Sequence, residues 1–323
     1  MSPRSGLLML AALLPLAGCA PQAPPAAAVA ATPAASCDRQ CLYGVLDAYL
    51  AGLKARDVKN ARLAANARYT ENNVELAPGD GLWGTISALD SYEMRFADAR
   101  DGQVAIFGVV EETTTRSPYA TRLKVVDGAI TEVETIVVRK DDAGIPFVTA
   151  DIKPVPVWGE VVPDAERDSR EALIAAADGY FNTLQLNDGT LRVQFTDDCN
   201  RREDGMQSTN LKDPGLDPIW RMGCADQFRQ GAYRYDDRIR GRRYFVVDEE
   251  LGIVLSAGFI DHEGRLGKFK LANGTERESI FRRPHTLAFL EAFKVKKGAI
   301  RQVESVFLTV PYRMPSPWDQ ASR

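Results

Sequence analysis

Residues 124–137 read KVVDGAITEVETIV, and residues 294–307 read KVKKGAIRQVESVF. Aligned without a gap, they share Lys, Val, Gly, Ala, Ile, Val and Glu at matching places. Such self-similarity decides how the rest of the chain is divided. In each copy, alternating runs flank DG or KG. That pattern predicts a tight hairpin turn, with Gly128 and Gly298 at positive φ, where a side chain is disfavoured. Upstream, GQVAIFGVVEE (residues 102–112) matches GIVLSAGFIDH (residues 252–262), with Gly102/Gly252, Val104/Val254 and Gly108/Gly258 in step. Further back, Leu42, Val45, Leu46, Tyr49, Leu50 and Leu53 fall on one helical face. Leu173, Ala177, Tyr180, Phe181 and Leu184 answer them in the second half. Each half therefore predicts one or two helices followed by a meander of long antiparallel strands, an α+β plan.

The two copies resemble the NTF2-like superfamily, also called SnoaL-like or cystatin-like α+β cones. In that superfamily an N-terminal helix packs on a strongly curved sheet and the two enclose a pocket. The resemblance covers residues 37–318. More closely, GDGLW, FGVVEE, RLKVVDGAITEVETIVVR and VESVFLTVPYRMPSPW look like a group of secreted two-copy proteins of this superfamily, a domain of unknown function found in bacteria and fungi. What this implies is two tandem NTF2-like domains, residues 37–152 and 168–318. A Pro-rich linker, residues 153–167, joins them.

The N-terminus reads as something other than fold. One Arg precedes an apolar run of signal-peptide length, too short to span a bilayer, that ends in Leu16-Ala17-Gly18-Cys19. This resembles the lipobox of bacterial lipoproteins, so residues 1–18 are expected to be removed and Cys19 acylated. An ordinary signal peptide cleaved elsewhere is the alternative. Residues 19–36, rich in Ala and Pro, read as a flexible tether. The mature protein is then expected at the periplasmic face of a bacterial membrane, the outer membrane in particular, held there by lipid.

The chain has 323 residues and a net charge of −4. A mildly acidic balance argues against nucleic acid as a partner. With Cys19 lipidated, four Cys remain in an oxidising compartment. The expected pairs are Cys37–Cys41 and Cys199–Cys224, one per half, with free thiols as the alternative. With two His and no C-x-x-C, no metal site is expected. G-x-S-x-G and P-loop spacings do not occur, and no G-x-G-x-x-G is read after a strand. No cofactor is expected.

Candidate site residues come from three places. One face of each closing strand carries Glu134 with Ile136, or Glu304 with Val306. If that face lines the cone, both carboxyls are desolvated and suited to acid–base work. If it is the outer face, they are structural. His285, alternating with Leu287 and Phe289, is either a buried acid–base or a core histidine. His262, in DHEG, is expected at an exposed turn. At the helix-to-sheet corner, RYTENN offers Tyr69 as a hydrogen-bond donor and Asn72 as a ligand contact or a turn residue. CNRRED offers Arg201, Arg202, Glu203 and Asp204. Trp83 either covers a pocket mouth or is buried after a tight turn. In the second half, Tyr233 and Arg238 suit an aromatic or carboxylated ligand, although DDRIRGRR also reads as a charged hairpin in water.

The resemblance implies a cofactor-independent proton-transfer enzyme of lyase, isomerase or dehydratase type. Its substrate would be a small apolar or aromatic molecule, lignin-derived aromatics among them. A non-catalytic ligand-binding lipoprotein and an assembly module are the competing readings. A homodimer is compatible with all three.

Overall fold

In the computed structural model, which describes residues 37–319, each half begins with a capped helix. Asp38 accepts from the Cys41 N–H at 2.9 Å and starts helix α1 (Arg39–Ala55). Ser169 does the same for helix α3 (Arg170–Leu186) through the Ala172 N–H. Each cap meets one of the N–H groups that a helix start leaves unpaired. The signal peptide, Cys19 and the tether lie outside the described residues.

After α1 the first half runs β1 (Leu63–Glu71), β2 (Val74–Leu76), a one-turn helix α2 (Leu82–Thr85), then β3 (Ile86–Asp98), β4 (Gln103–Glu112), β5 (Thr115–Val126) and β6 (Ala129–Val137). They form a six-stranded sheet in the order β2-β1-β6-β5-β4-β3. The second half repeats it with β7 (Gln194–Glu203), β8 (Met206–Gln207), helix α4 (Cys224–Arg229), β9 (Arg238–Asp248), β10 (Ile253–His262), β13 (His285–Lys296) and β14 (Ala299–Val310). Its order, β8-β7-β14-β13-β10-β9, is the same. A small hairpin, β11 (Lys268–Lys270) and β12 (Glu276–Glu278), is inserted after β10. The chain is α+β, one helix-and-sheet plan used twice.

The twin hairpins close as the sequence predicts. Asp127 and Gly128 have φ of 50° and 77°, and Lys297 and Gly298 have 52° and 71°. Two consecutive positive φ values make the turn that matches strand twist. Gly108 and Gly258 serve the curvature instead. They sit opposite Tyr119 and Phe289 across the ladder, and a Cβ on either would strike that ring within 2.8 Å. An aromatic laid over a strand glycine lets the sheet bend there.

Each helix fills the concave side of its own sheet. Leu42, Leu46, Tyr49 and Trp83 pack there in the first half, and Leu173, Tyr180, Phe181 and Phe293 in the second. The convex sides are not solvated. Ile136, Val138, Phe96, Phe107, Val306, Leu308 and Trp158 form a third apolar core between the halves. Polar ties across this seam are reciprocal. Arg170 reaches Asp98 at 2.8 Å in the β3–β4 hairpin, and Arg39 reaches Asp248 at 3.1 Å in the matching β9–β10 hairpin. Both expected disulfides are present, Cys37–Cys41 and Cys199–Cys224. The second closes a loop across a separation of 25 residues, worth about 3 kcal/mol on the chain-entropy account.

One more duplicated position has changed its chemistry. Asn72 brackets Val137, accepting from its N–H at 2.8 Å and donating to its carbonyl at 3.1 Å. Its counterpart Asp204 accepts from the Phe307 N–H at 2.9 Å. Complete burial raises the Asp204 carboxyl well above its ordinary pKa. Its second oxygen, Oδ2, has no hydrogen-bond partner among the described residues, where Asn72 donates an N–H.

Candidate functional site

The strand period sorts the second half's polar residues onto two faces. The inward face carries Arg201 and Glu203 on β7, Ser256 and His262 on β10, His285 and Glu291 on β13, and Ser305 on β14. Glu203, Ser305, Glu291 and Ser256 lie directly opposite one another across four strands. They make a polar row on the floor of the cone. A cavity of about 80 Å³ opens above this row, walled by Tyr180, Tyr233, Tyr235, Trp220, Phe281 and Phe289 among others.

Two polar stations line the cavity. At the first, the buried Arg201 guanidinium pairs with Glu203 and hydrogen-bonds Gln227 at 3.3 Å. It also lies over the Tyr233 ring at 4.7 Å. Glu291 stands beside this committed pair. Burial pushes its carboxyl up to about 8, against the opposing pull of Arg201. At neutral pH it is a neutral acid next to an ion pair.

The second station is His262, whose Nε2 lies 2.8 Å from the Asp236 carboxylate. Both are buried, and burial raises the Asp236 carboxyl above its usual range. With Nε2–H donating to Asp236, the lone pair is on Nδ1, which has no hydrogen-bond partner among the described residues. His285 stacks on His262 at 4.6 Å with rings 6° apart. Burial lowers its proton affinity, which suits a ring pressed face to face with another imidazole. Its Nδ1 contacts the Arg283 carbonyl at 2.9 Å.

The first cone is built on the same positions and is closed. Arg139 reaches Glu112 at 2.8 Å and Glu71 at 3.0 Å. Tyr69 donates to Glu71 at 2.6 Å, and so does the Leu82 N–H. The repeat register makes Glu71 the counterpart of Glu203, Glu112 that of His262, and Arg139 that of Thr309. One guanidinium thus bridges the two positions that line the cavity in the second half.

The other sequence candidates fall as follows. Glu134 and Glu304 lie on the convex face, not the concave one. Glu304 accepts from Tyr92 of the first half at 2.6 Å, and Glu134 binds Arg243 of the second at 2.6 Å. The repeated glutamate is a tie across the seam. Burial raises Glu304 to about 7, with Arg202 and Tyr92 opposing. Trp83 is buried against Tyr49 at 5.5 Å. Asn72 holds a turn at φ 50°. Tyr233 lines the cavity, whereas Arg238 is exposed at the start of β9. Two expectations are corrected. His262 is buried, because it ends β10 opposite His285 on β13 with its ring on the cavity side. DDRIRGRR is not a hairpin in water: Asp236 is buried, Arg240 pairs with Asp261 at 2.9 Å and Arg243 crosses the seam.

Glu291 is the residue that sequence reasoning missed. The signal was its place in HTLAFLEAF, at period two from His285 through Leu287 and Phe289.

A family model described as Domain of unknown function (DUF8021) matches residues 35–137 and 166–307. No curated protein matches the chain. Among solved structures, a protein of unknown function with a cystatin-like fold from Methylobium petroleophilum PM1 is similar at 16% identity and a TM-score of 0.28, over 37% of this chain and 99% of its own. An NTF2-like protein of unknown function from Cytophaga hutchinsonii ATCC 33406 is similar at 8% identity and 0.23, over 30% and 88%. A candidate polyketide cyclase from Xanthomonas campestris pv. campestris is similar at 18% identity and 0.27, over 30% and 90%.

Proposed function

We propose that this chain, which belongs to the DUF8021 family, moves protons on a small uncharged molecule held in the cavity of its second half, without a cofactor. The observation that carries the reading is the pair of stations in one aromatic-walled space. Glu291 offers a proton, and His262, oriented by Asp236, offers a lone pair. Groups pushed to opposite roles by their surroundings are how one site runs acid and base chemistry together. Arg201, the only Arg or Lys among the described residues lining the cavity, is already committed to Glu203. A carboxylated ligand would find no free partner there, so an apolar or aromatic molecule bearing a carbonyl or hydroxyl fits better. The Glu291 O–H would meet charge developing on oxygen while His262 Nδ1 takes a proton from carbon or oxygen.

The test is deuterium uptake. A panel of small aromatic ketones and hydroxyketones is incubated with the protein in D₂O and read by proton NMR. Exchange at carbon beside the carbonyl, faster than in buffer, is expected for at least one compound. Binding without exchange across the panel would favour the ligand-carrier reading.

We also propose that the mature chain is anchored by acyl groups on Cys19, from the LAGC end of the apolar run. Cys19→Ala should move the protein from the membrane to the soluble fraction. Retention in the membrane would refute the anchor.

A further inference from the structure

The cavity of the second half is only partly enclosed, so the segments at its rim decide how readily a ligand enters. Two segments meet at its mouth. One follows β12 and contributes Ile280 and Phe281; the other is residues 140–148, in the connection between the halves, and contributes Ile145. They are held very differently.

Phe281 is fixed by rings on three sides. Its centroid lies 4.3 Å from His262, 4.8 Å from His285 and 5.1 Å from Tyr235. The Ser279 hydroxyl adds hydrogen bonds to the Phe281 backbone. Moving this side would break the second station itself.

Residues 140–148 carry no helix or strand, and none of them is fully buried. They lie against the second cone through two backbone bonds, Thr309 N–H to the Asp142 carbonyl at 2.8 Å and Val148 N–H to the Asp204 carbonyl at 3.0 Å. Between these bonds the chain presses close. A Cβ on Gly144 would come within 2.6 Å of Leu287. A second, open hollow of about 530 Å³ is lined by Lys140, Ala143, Gly144, Ile145, Pro146 and Phe147. Ile145 belongs to both walls, so its side chain partitions the inner cavity from the outer hollow.

We infer that residues 142–148 are the gate of the second-half cavity and that Ile145 is its closing side chain. The segment swings as a flap between its two backbone bonds; it has no helix or strand hydrogen bonding of its own, and its apolar anchors are the partly buried Ala143, Ile145 and Phe147. The inference rests on the cavity being the working site assigned above. It gives the chain between the halves a role in admission that neither sheet could supply.

Access can be measured without any substrate. Ser305→Cys places a thiol on the cavity floor. Methyl methanethiosulfonate, a small neutral reagent, converts that thiolate to a mixed disulfide and releases methanesulfinate. The labelled peptide of the full chain is followed by mass spectrometry, so Cys19 does not interfere. Ile145→Ala in this background should raise the labelling rate at least tenfold. Pro146→Gly, at an exposed position, should also raise it by loosening the flap without touching the cavity wall. Ile280→Ala should leave it within twofold. Entry lies elsewhere if Ile280→Ala accelerates labelling as much as Ile145→Ala. There is no gate here if neither flap variant changes the rate, or if the thiol already reacts as fast as in urea. These readings do not depend on turnover: the gate can stand if the exchange assay fails, and fall if it succeeds.

Discussion

Glu291→Gln is expected to make the protein inactive and, above neutral pH, more stable. The carboxyl is raised to about 8 by burial in the folded chain, against about 4.3 in an unfolded one. A raised acid means that the folded state holds its proton while the unfolded state sheds it. Stability from this site is therefore full below pH 4 and falls as pH climbs from there to 8. Gln keeps the shape and cannot ionise, so it escapes that loss. At pH 8 the gain should be a few kcal/mol, a Tm rise of roughly 5–10 °C, and at pH 5 it should shrink markedly. Deuterium exchange should fall about 100-fold or more, the usual contribution of a positioned acid. In the parent protein, exchange should be lost above pH 8, as the donor proton leaves. A variant that exchanges normally, or melts lower at every pH, would show that Glu291 is a structural group with no part in chemistry.

Arg201→Met should have the largest effect on stability. The guanidinium is buried, paired with Glu203 and packed over Tyr233 and Phe228 at 4.7 and 5.3 Å. Removing it leaves the Glu203 carboxylate uncompensated beside a second carboxyl. Breaking one partner of a buried pair costs about 3–5 kcal/mol. Arg201→Met with Glu203→Leu should recover much of that loss, because a well-packed apolar pair replaces both charges. Arg201→Lys should not, since an ammonium cannot lie flat on the rings. Urea unfolding of the three variants measures this. A single variant within 1 kcal/mol of the parent would mean that the pair carries little strain or support.

Much of the fold could be read from the chain because it depends on local rules. The twin Asp127-Gly128 and Lys297-Gly298 turns and both helix faces follow from spacing, and the two disulfides are expected from an even Cys count with one pair in each half. The working face could not be read. Period two says that Glu134 shares a side with Ile136, and Glu304 with Val306, but it does not say which side is concave. Convex faces are commonly polar. Here they are apolar because the other half covers them, so the cue that separates inside from outside was missing. Arg201 and Arg202 show the same blindness at single-residue scale. They are neighbours in CNRRED, yet one enters the cavity and the other turns toward Glu304 at 3.7 Å. Asp236 and His262 stand 26 positions apart, and only the pairing of β9 with β10 makes them a unit.

Arg139 in one cone and Thr309 in the other have a genetic consequence. Two identical chains clasped in the same way would carry every substitution twice. A guanidinium that plugs one cone would plug both, and a vacancy that opens one would weaken both. Fusing the copies into a single reading frame removes that constraint. One copy is free to trade its hollow for a bolt of Arg139, Glu71 and Glu112, while the other keeps the hollow and tolerates its costly buried acids. Selection can then act on rigidity and on reactivity at separate codons.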